Sequence, residues 1–164
     1  MANKQKLEQK IGEALGLEKA AQTAVEELSA KGLLDEGGMK DKLQTMKKQA
    51  NNHQTDLEQL VQTMSTSQEL SSQNIQKTAQ ETEQKASEIM KTYLGEDPDS
   101  SEAIEFLCLA EGGEVSHYEV LSAMTRGIKD RKLATKVKAI LAEEKKHLLL
   151  CTRLAKQTAM ASSG

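Results

Sequence analysis

Apolar residues recur at alternating steps of three and four along most of the chain, the spacing that lays one stripe down the face of an α-helix. The first stripe is Leu7, Ile11, Ala14, Glu18, Ala21, Val25 and Leu28. Gly32 is placed to cap the C-terminus of this segment, and Asp35-Glu36-Gly37-Gly38 reads as a turn. The second stripe is Met39, Leu43, Met46, Ala50, His53, Leu57, Leu60 and Met64. A Ser/Thr/Gln-rich stretch from Ser65 to Asn74 follows, where the stripe positions Gln68 and Ser71 are polar. The rhythm resumes at Ile75, Ala79, Thr82, Ala86, Ile89 and Tyr93 and stops at Gly95-Glu96-Asp97-Pro98. A single helix from Met39 to Tyr93 would be about 80 Å long at roughly 1.5 Å per residue, too long for a compact domain. A break between Ser65 and Gln73 is therefore expected, with a separate, mostly polar helix after it.

Asp97 to Glu102 supplies several N-cap residues, with Pro98 suited to a first helical position. The next stripe is Ile104, Leu107, Glu111, Glu114, Tyr118, Leu121 and Thr125. Gly127 ends it, and Asp130 can cap a last helix with the stripe Leu133, Val137, Ile140, Glu144, His147, Cys151 and Leu154. The expected organisation is one helical bundle domain over 1–160 with a frayed tail at 161–164.

Composition sharpens this to an all-α fold. The 164 residues include 1 Pro, 1 Phe, 2 Tyr and no Trp. That is too few turn formers and strand-favouring aromatics for a sandwich or barrel. The core must then be aliphatic, and polar residues inside it need a reason. A net charge of −3 with mixed signs argues against a nucleic-acid surface. No apolar run approaches the roughly 20 residues of a membrane span, and Met1 to Lys10 has no signal-peptide core. Two cysteines without secretory context read as reduced thiols. The expectation is a soluble cytoplasmic protein with neither nucleic-acid nor membrane partners.

Six ionisable residues stand on the stripes: Glu18, His53, Glu111, Glu114, Glu144 and His147. A lone charge in an apolar core is costly, so such groups are paired, hydrogen-bonded or bound to metal. In an antiparallel hairpin, residues equidistant from the turn lie at one level. With the first turn centred at 35, His53 is level with Leu17, next to Glu18. With the last turn centred between Gly127 and Asp130, Glu144 comes level with residue 113 and His147 with residue 110. Both hairpins thus bring their polar stripe residues together. Glu144-Lys145-Lys146-His147 is a Glu-x-x-His motif, which with a Glu from a facing helix forms half of a dinuclear carboxylate site in a four-helix bundle. The carboxylate and imidazole donors suit iron or manganese. Glu114-Val115-Ser116-His117 has the same spacing, but His117 falls off the stripe and is read as a flank.

Several stretches carry a family resemblance. Leu109-Ala-Glu-Gly-Gly-Glu-Val-Ser-His-Tyr-Glu-Val120 resembles the third-helix signature of the ferritin-like superfamily, most closely its bacterial stress-associated branch of the YciF type. Ile140-Leu-Ala-Glu-Glu-Lys145, Leu17-Glu-Lys-Ala-Ala-Gln22 and His53-Gln-Thr-Asp-Leu-Glu-Gln-Leu60 add to it, so that the likeness spans roughly Leu7 to Lys156. The resemblance implies a ferritin-like four-helix bundle whose second and third main helices are joined by a long helical crossover, supplied by Gln73 to Tyr93 as a fifth helix. It also implies bound iron or manganese, at most an oxidase- or peroxidase-like di-metal carboxylate activity, and a part in oxidative or general stress protection.

One position departs from that pattern. The family carries Glu-x-x-His on the second helix too, whereas here the segment reads Ala50-Asn51-Asn52-His53. The missing carboxylate leaves a rearranged, mononuclear or vestigial site as alternatives to a full dinuclear one, and Asp56 substitutes only if the metal shifts. The rival reading is a non-catalytic helical interaction protein with a buried Glu/His network and no metal. Its support is the polar segment from Met64 to Lys91, which suits a partner helix or a homodimer through helix faces. Tyr118 is a core tyrosine or a hydrogen-bond donor to a ligand carboxylate. Cys108 and Cys151 are two core residues or a thiol pair near the site. Glu119 and the Glu143 to Lys146 run are solvated faces, and Met39, Met46 and Met64 are core fillers.

Overall fold

In the computed structural model, which describes residues 3–67 and 69–162 (the side chain of Ser162 aside), the chain forms five helices and no strand among the described residues. They are α1 (Lys4–Ala30), α2 (Met39–Thr66), α3 (Ser72–Leu94), α4 (Ser100–Thr125) and α5 (Arg131–Ser162). Gln68, read from sequence as a polar stripe position, and the tail residues Ser163 and Gly164 lie outside the described residues.

The ends of the helices follow local chemistry. Gly32, at φ 72°, closes α1 in the left-handed conformation. Its N–H donates to the Ser29 carbonyl and that of Leu33 to the Leu28 carbonyl, the paired bonds of a Schellman cap. α4 opens on a capping box, with the Asp99 carboxylate accepting from the Glu102 N–H at 2.8 Å and the Glu102 carboxylate from the Asp99 N–H at 3.0 Å. Pro98 therefore stands before the cap and not at the first helical position expected of it. The break after α2 falls between Thr66 and Ser72, inside the polar stretch.

Two apolar clusters fill the core. One gathers Leu7 to Leu15 of α1, Leu57 to Met64 of α2, Tyr118 and Leu121 of α4, and Leu133 to Leu141 of α5. The other gathers Ala24 to Leu28 of α1, Met39 to Met46 of α2, Ile104 to Leu107 of α4, and Cys151 and Leu154 of α5. α1 and α5 run from the first cluster to the second, and α2 and α4 run the opposite way. The two core helices on either side of α3 in the chain, α2 and α4, are thus parallel, which a short turn between them cannot achieve. α3 makes the return trip along the outside of α1.

That trip is held tightly at its start. The buried Glu8 carboxylate accepts from the Ser71 N–H at 2.8 Å and from Asn74 Nδ2 at 3.0 Å, a negative charge at the α3 N-terminus. A Cβ on Gly12 would lie 2.7 Å from the Ile75 carbonyl oxygen, and one on Gly16 2.5 Å from that of Ala79. Only glycine lets the two backbones approach so closely.

Farther along, α3 is covered on one side only. Ile89 and Tyr93, expected on its buried stripe, are 57% and 48% exposed, and Met90 is buried instead. A helix with 3.6 residues per turn drifts relative to a strict seven-residue pattern, so the inner face rotates off the extrapolated stripe. On α2 the same drift buries Val61 and leaves Leu60 half-buried. None of the helices among the described residues is long and apolar enough to cross a membrane.

Candidate metal centre

Between the two apolar clusters lies a polar layer. Glu18, His53, Glu111, Glu114, Glu144 and His147 are all 4% exposed or less. Each sits where the stripe puts it, one turn from apolar neighbours on its own helix, so burying the stripe carries the charges inward.

Five of the six fall into two groups of three. Glu18, His53 and Glu144 place one donor atom each within 4.8 Å of one another, and so do Glu111, Glu144 and His147. Glu144 belongs to both. Its Oε1 is 2.9 Å from His53 Nδ1, and its Oε2 is 3.5 Å from His147 Nδ1. Glu18 Oε1 lies 3.3 Å from His53 Nδ1, and Glu111 Oε2 lies 3.7 Å from His147 Nδ1. The two imidazole rings stack with centroids 5.8 Å apart. Glu114, expected among the ligands, belongs to neither group; it interacts with Glu111 beside it on α4.

Four oxygens of this layer have no hydrogen-bond partner: Oε2 of Glu18, Glu111 and Glu144, and Oε1 of Glu114. A buried polar atom left unpaired costs about 1–3 kcal/mol, more when charged. Four at one place mark a layer that shared protons, water or a bound cation must complete. The donor set fits a metal ion in two further respects. Ligands bound at about 2.1 Å to one ion stand roughly 3 to 4 Å apart, the range of the Glu and His separations above. The far nitrogens of the imidazoles are also engaged: His53 Nε2 contacts Glu143 Oε1 at 2.9 Å and His147 Nε2 contacts Gln49 Oε1 at 2.6 Å. An N–H donated outward fixes the tautomer and turns the Nδ1 lone pair toward the carboxylates, as in metal-bound histidines.

The electrostatics describe the same layer held by protons. Four carboxyl groups this close cannot all be ionised. Burial, then the charge of Glu144, pushes Glu18 well above the usual carboxylate range, and burial with neighbouring carboxylates does the same to Glu111 and Glu114. Burial acts on Glu144 in the same sense, but bonds from His147, His53, Glu111 and Glu18 outweigh it and hold its carboxyl far below the ordinary value. Burial alone would lower the pKa of His53, yet its bonds to Glu144 and Glu18 raise it to about 11. Glu144 is thus the shared anion and His53 the principal cation. Tyr118, fully buried, donates its hydroxyl to Glu18 Oε1 at 2.9 Å, so it is both a core residue and a partner of the site.

No protein-family model, no curated protein and no solved structure matches this chain. The buried Glu and His groups can hold a metal ion, and its identity is open between the hard and borderline divalent cations that such donors take.

The remaining sequence readings fall into place around this centre. Ala50 is buried and brings no donor, while α4 brings two carboxylates. Asp56 turns away to Lys136 at 3.2 Å. His117 is half-buried outside the layer, its Nδ1 3.0 Å from the Gly113 carbonyl and its Nε2 3.3 Å from Glu13. Glu119 pairs with Lys145 at 2.8 Å. Cys108 and Cys151 are free thiols packed with the second cluster, the Cys151 thiol 3.7 Å from Met46 Sδ. Gln49 was not singled out from the sequence, and Glu143, read as part of a solvated run, is partly exposed but also contacts His53. Their only signal is position: each is a long polar side chain immediately before a stripe residue, so it flanks the inner face.

Proposed function

We propose that this chain is a metal-binding bundle protein of the ferritin-like kind, holding two iron or manganese ions that share Glu144. Glu18 and His53 would complete one ligand group, and Glu111 and His147 the other. The observation that carries the reading is the pair of three-residue groups joined at Glu144, with three of their carboxylate oxygens unpartnered. The resemblance of the Leu109 to Val120 stretch to the third-helix signature, and a helical crossover that leaves α2 parallel to α4, support the family reading. A two-ion carboxylate centre supplies one-electron redox chemistry toward oxygen or peroxide. The residues around it would have separate tasks: Glu144 would serve both ligand groups, Glu143 and Gln49 hold the imidazole orientations, and the two apolar clusters exclude water on either side. The stress-protective role rests on the resemblance.

The test is metal content. Protein made in iron- and manganese-supplemented medium is expected to carry about two ions per chain, and the Glu144→Ala, His147→Ala double variant none. A content near one ion per chain would mean that Ala50 has reduced the centre to a mononuclear one. No bound metal, with the double variant destabilised all the same, would leave a proton-held network in a helical interaction protein. That second reading has its own support, since every imidazole nitrogen of His53 already has an acidic partner.

A further inference from the structure

The six residues of the polar layer are each 4% exposed or less, so an ion destined for them has to cross the wall of the bundle. We propose that divalent cations enter through the seam between α2 and α5, and that Glu143 is the carboxylate that draws them in. The proposal rests on the metal reading and names the route to that centre.

Among the described residues, three side chains outside the layer bond to a side chain inside it. Tyr118, the partner of Glu18, is fully buried. Glu143 and Gln49 are only partly buried, and both stand on one seam. Glu143 of α5 holds His53 of α2 at 2.9 Å, and Gln49 of α2 holds His147 of α5 at 2.6 Å. The Glu143 side chain is 44% exposed and that of His53 4%, so this contact joins solvent to the layer. Of the four seams around the layer, the one between α2 and α5 is also the least closely packed. Ala50, buried beside Gln49 and one turn before His53, brings only a methyl group. The α1–α4 seam offers the contrast. Glu13 and His117 pair across it at 3.3 Å, and neither touches the layer.

Geometry and charge give Glu143 its task. His53 turns Nε2 to Glu143 and Nδ1 to Glu144 and Glu18, so its ring separates the outer carboxylate from the inner ones. A carboxylate at the rim of a site raises the local concentration of cations and speeds their capture. When Glu143 gives its oxygen to a cation, that oxygen no longer holds the imidazole, and the ring is free to turn. Behind it stand Oε2 of Glu18 and of Glu144, buried and without a partner.

The test is the rate of cobalt(II) loading into the full metal-free chain, followed by stopped flow through the visible bands of the bound ion over a range of salt concentrations. Glu143→Gln keeps an acceptor oxygen for His53 and removes the charge. It is expected to slow association about tenfold at low salt and to flatten the salt dependence, with release changed far less. Glu143→Asp keeps the charge with a shorter reach and should load close to the parent rate. A residue that only orients His53 would instead show its loss in faster release. Glu13→Gln, on the α1–α4 seam, should load as the parent does. Association of Glu143→Gln at the parent rate, a loss confined to release, or an equal slowing by Glu13→Gln would overturn the entry route and leave the metal reading standing. No cobalt uptake by the parent chain would overturn both.

Discussion

The two halves of the polar layer share Glu144 and differ in how firmly they hold their imidazoles. His53 is clamped at both nitrogens by carboxylates, at 2.9 Å by Glu144 and Glu143, with Glu18 at 3.3 Å and the Tyr118 hydroxyl behind Glu18. His147 has an amide, Gln49, on its far nitrogen, and its near nitrogen stands 3.5 and 3.7 Å from Glu144 and Glu111, a longer pairing than that of His53. The His53 half is closed around a proton, while the His147 half is more loosely spaced. Unpaired oxygens remain in both halves, Glu18 Oε2 in one and Glu111 Oε2 in the other.

The sharpest way to break this asymmetry is to remove what the halves share. Glu144→Ala is expected to abolish both ions and to cost the metal-free protein about 3–5 kcal/mol, because it leaves the His53 cation without its main counter-charge. Metal analysis and urea unfolding read the two effects. Retention of either ion would show that the halves do not depend on a common carboxylate. The single variants come next. His53→Ala and His147→Ala should each reduce the content from two ions to one, with His53→Ala the more destabilising in the metal-free protein. Equal losses of stability would remove the distinction between the halves.

The proton-held state also makes a statement about pH. His53 at about 11 against an unfolded 6.5, and Glu18, Glu111 and Glu114 above an unfolded 4.5, all bind protons more tightly when folded. Each contributes stability that is complete below its unfolded value and lost as pH rises through its folded value. Glu144, held low, acts oppositely, and its contribution is lost only as pH falls below 4.5. The metal-free protein should therefore lose thermal stability steadily between pH 5 and 9. The metal-loaded protein should lose stability on acidification instead, because bound ligands must be deprotonated. Two melting series with the same slope would contradict this. Calorimetry in buffers of different ionisation enthalpy should further show about one proton fewer released on metal binding by His53→Ala than by the parent chain.

How far the sequence foretold this centre follows from what periodicity encodes. The stripes of α1, α2, α4 and α5 carry Glu18, His53, Glu111, Glu144 and His147 inward because long helices with strong three-four spacing bury that face. The Gly127 and Gly32 turns then set their levels. The off-centre place of Glu114 was not legible, since residues three apart share a helix face and a level estimated from turn centres is good only to about one helical turn. Glu143 and Gln49 lie beside the stripe, where a polar residue is ordinarily solvated. The close approach of the first half of α3 to α1 depends on Gly12 and Gly16, a contact between helices distant in sequence that no stripe encodes. Ile89 and Tyr93 continue the stripe pattern but stay about half exposed, with the Tyr93 ring 5.7 Å from that of Phe106 on α4.

The smallest change that still separates the halves is Tyr118→Phe. It removes one hydroxyl, 2.9 Å from Glu18 Oε1, and nothing from the His147 group. Glu18 then has two oxygens facing the layer with one fewer donor between them, a loss of about 1–2 kcal/mol in the metal-free protein. Because Glu18 belongs only to the His53 group, its freed oxygen should alter the affinity of one ion and leave the other within about threefold, as expected of a neighbour that orients a ligand without binding metal. A two-site metal titration of the variant against the parent chain reads this directly. Equal weakening of both ions would mean that the halves communicate through Glu144 strongly enough to act as one site, and the asymmetry in the hydrogen bonds would then carry no functional weight.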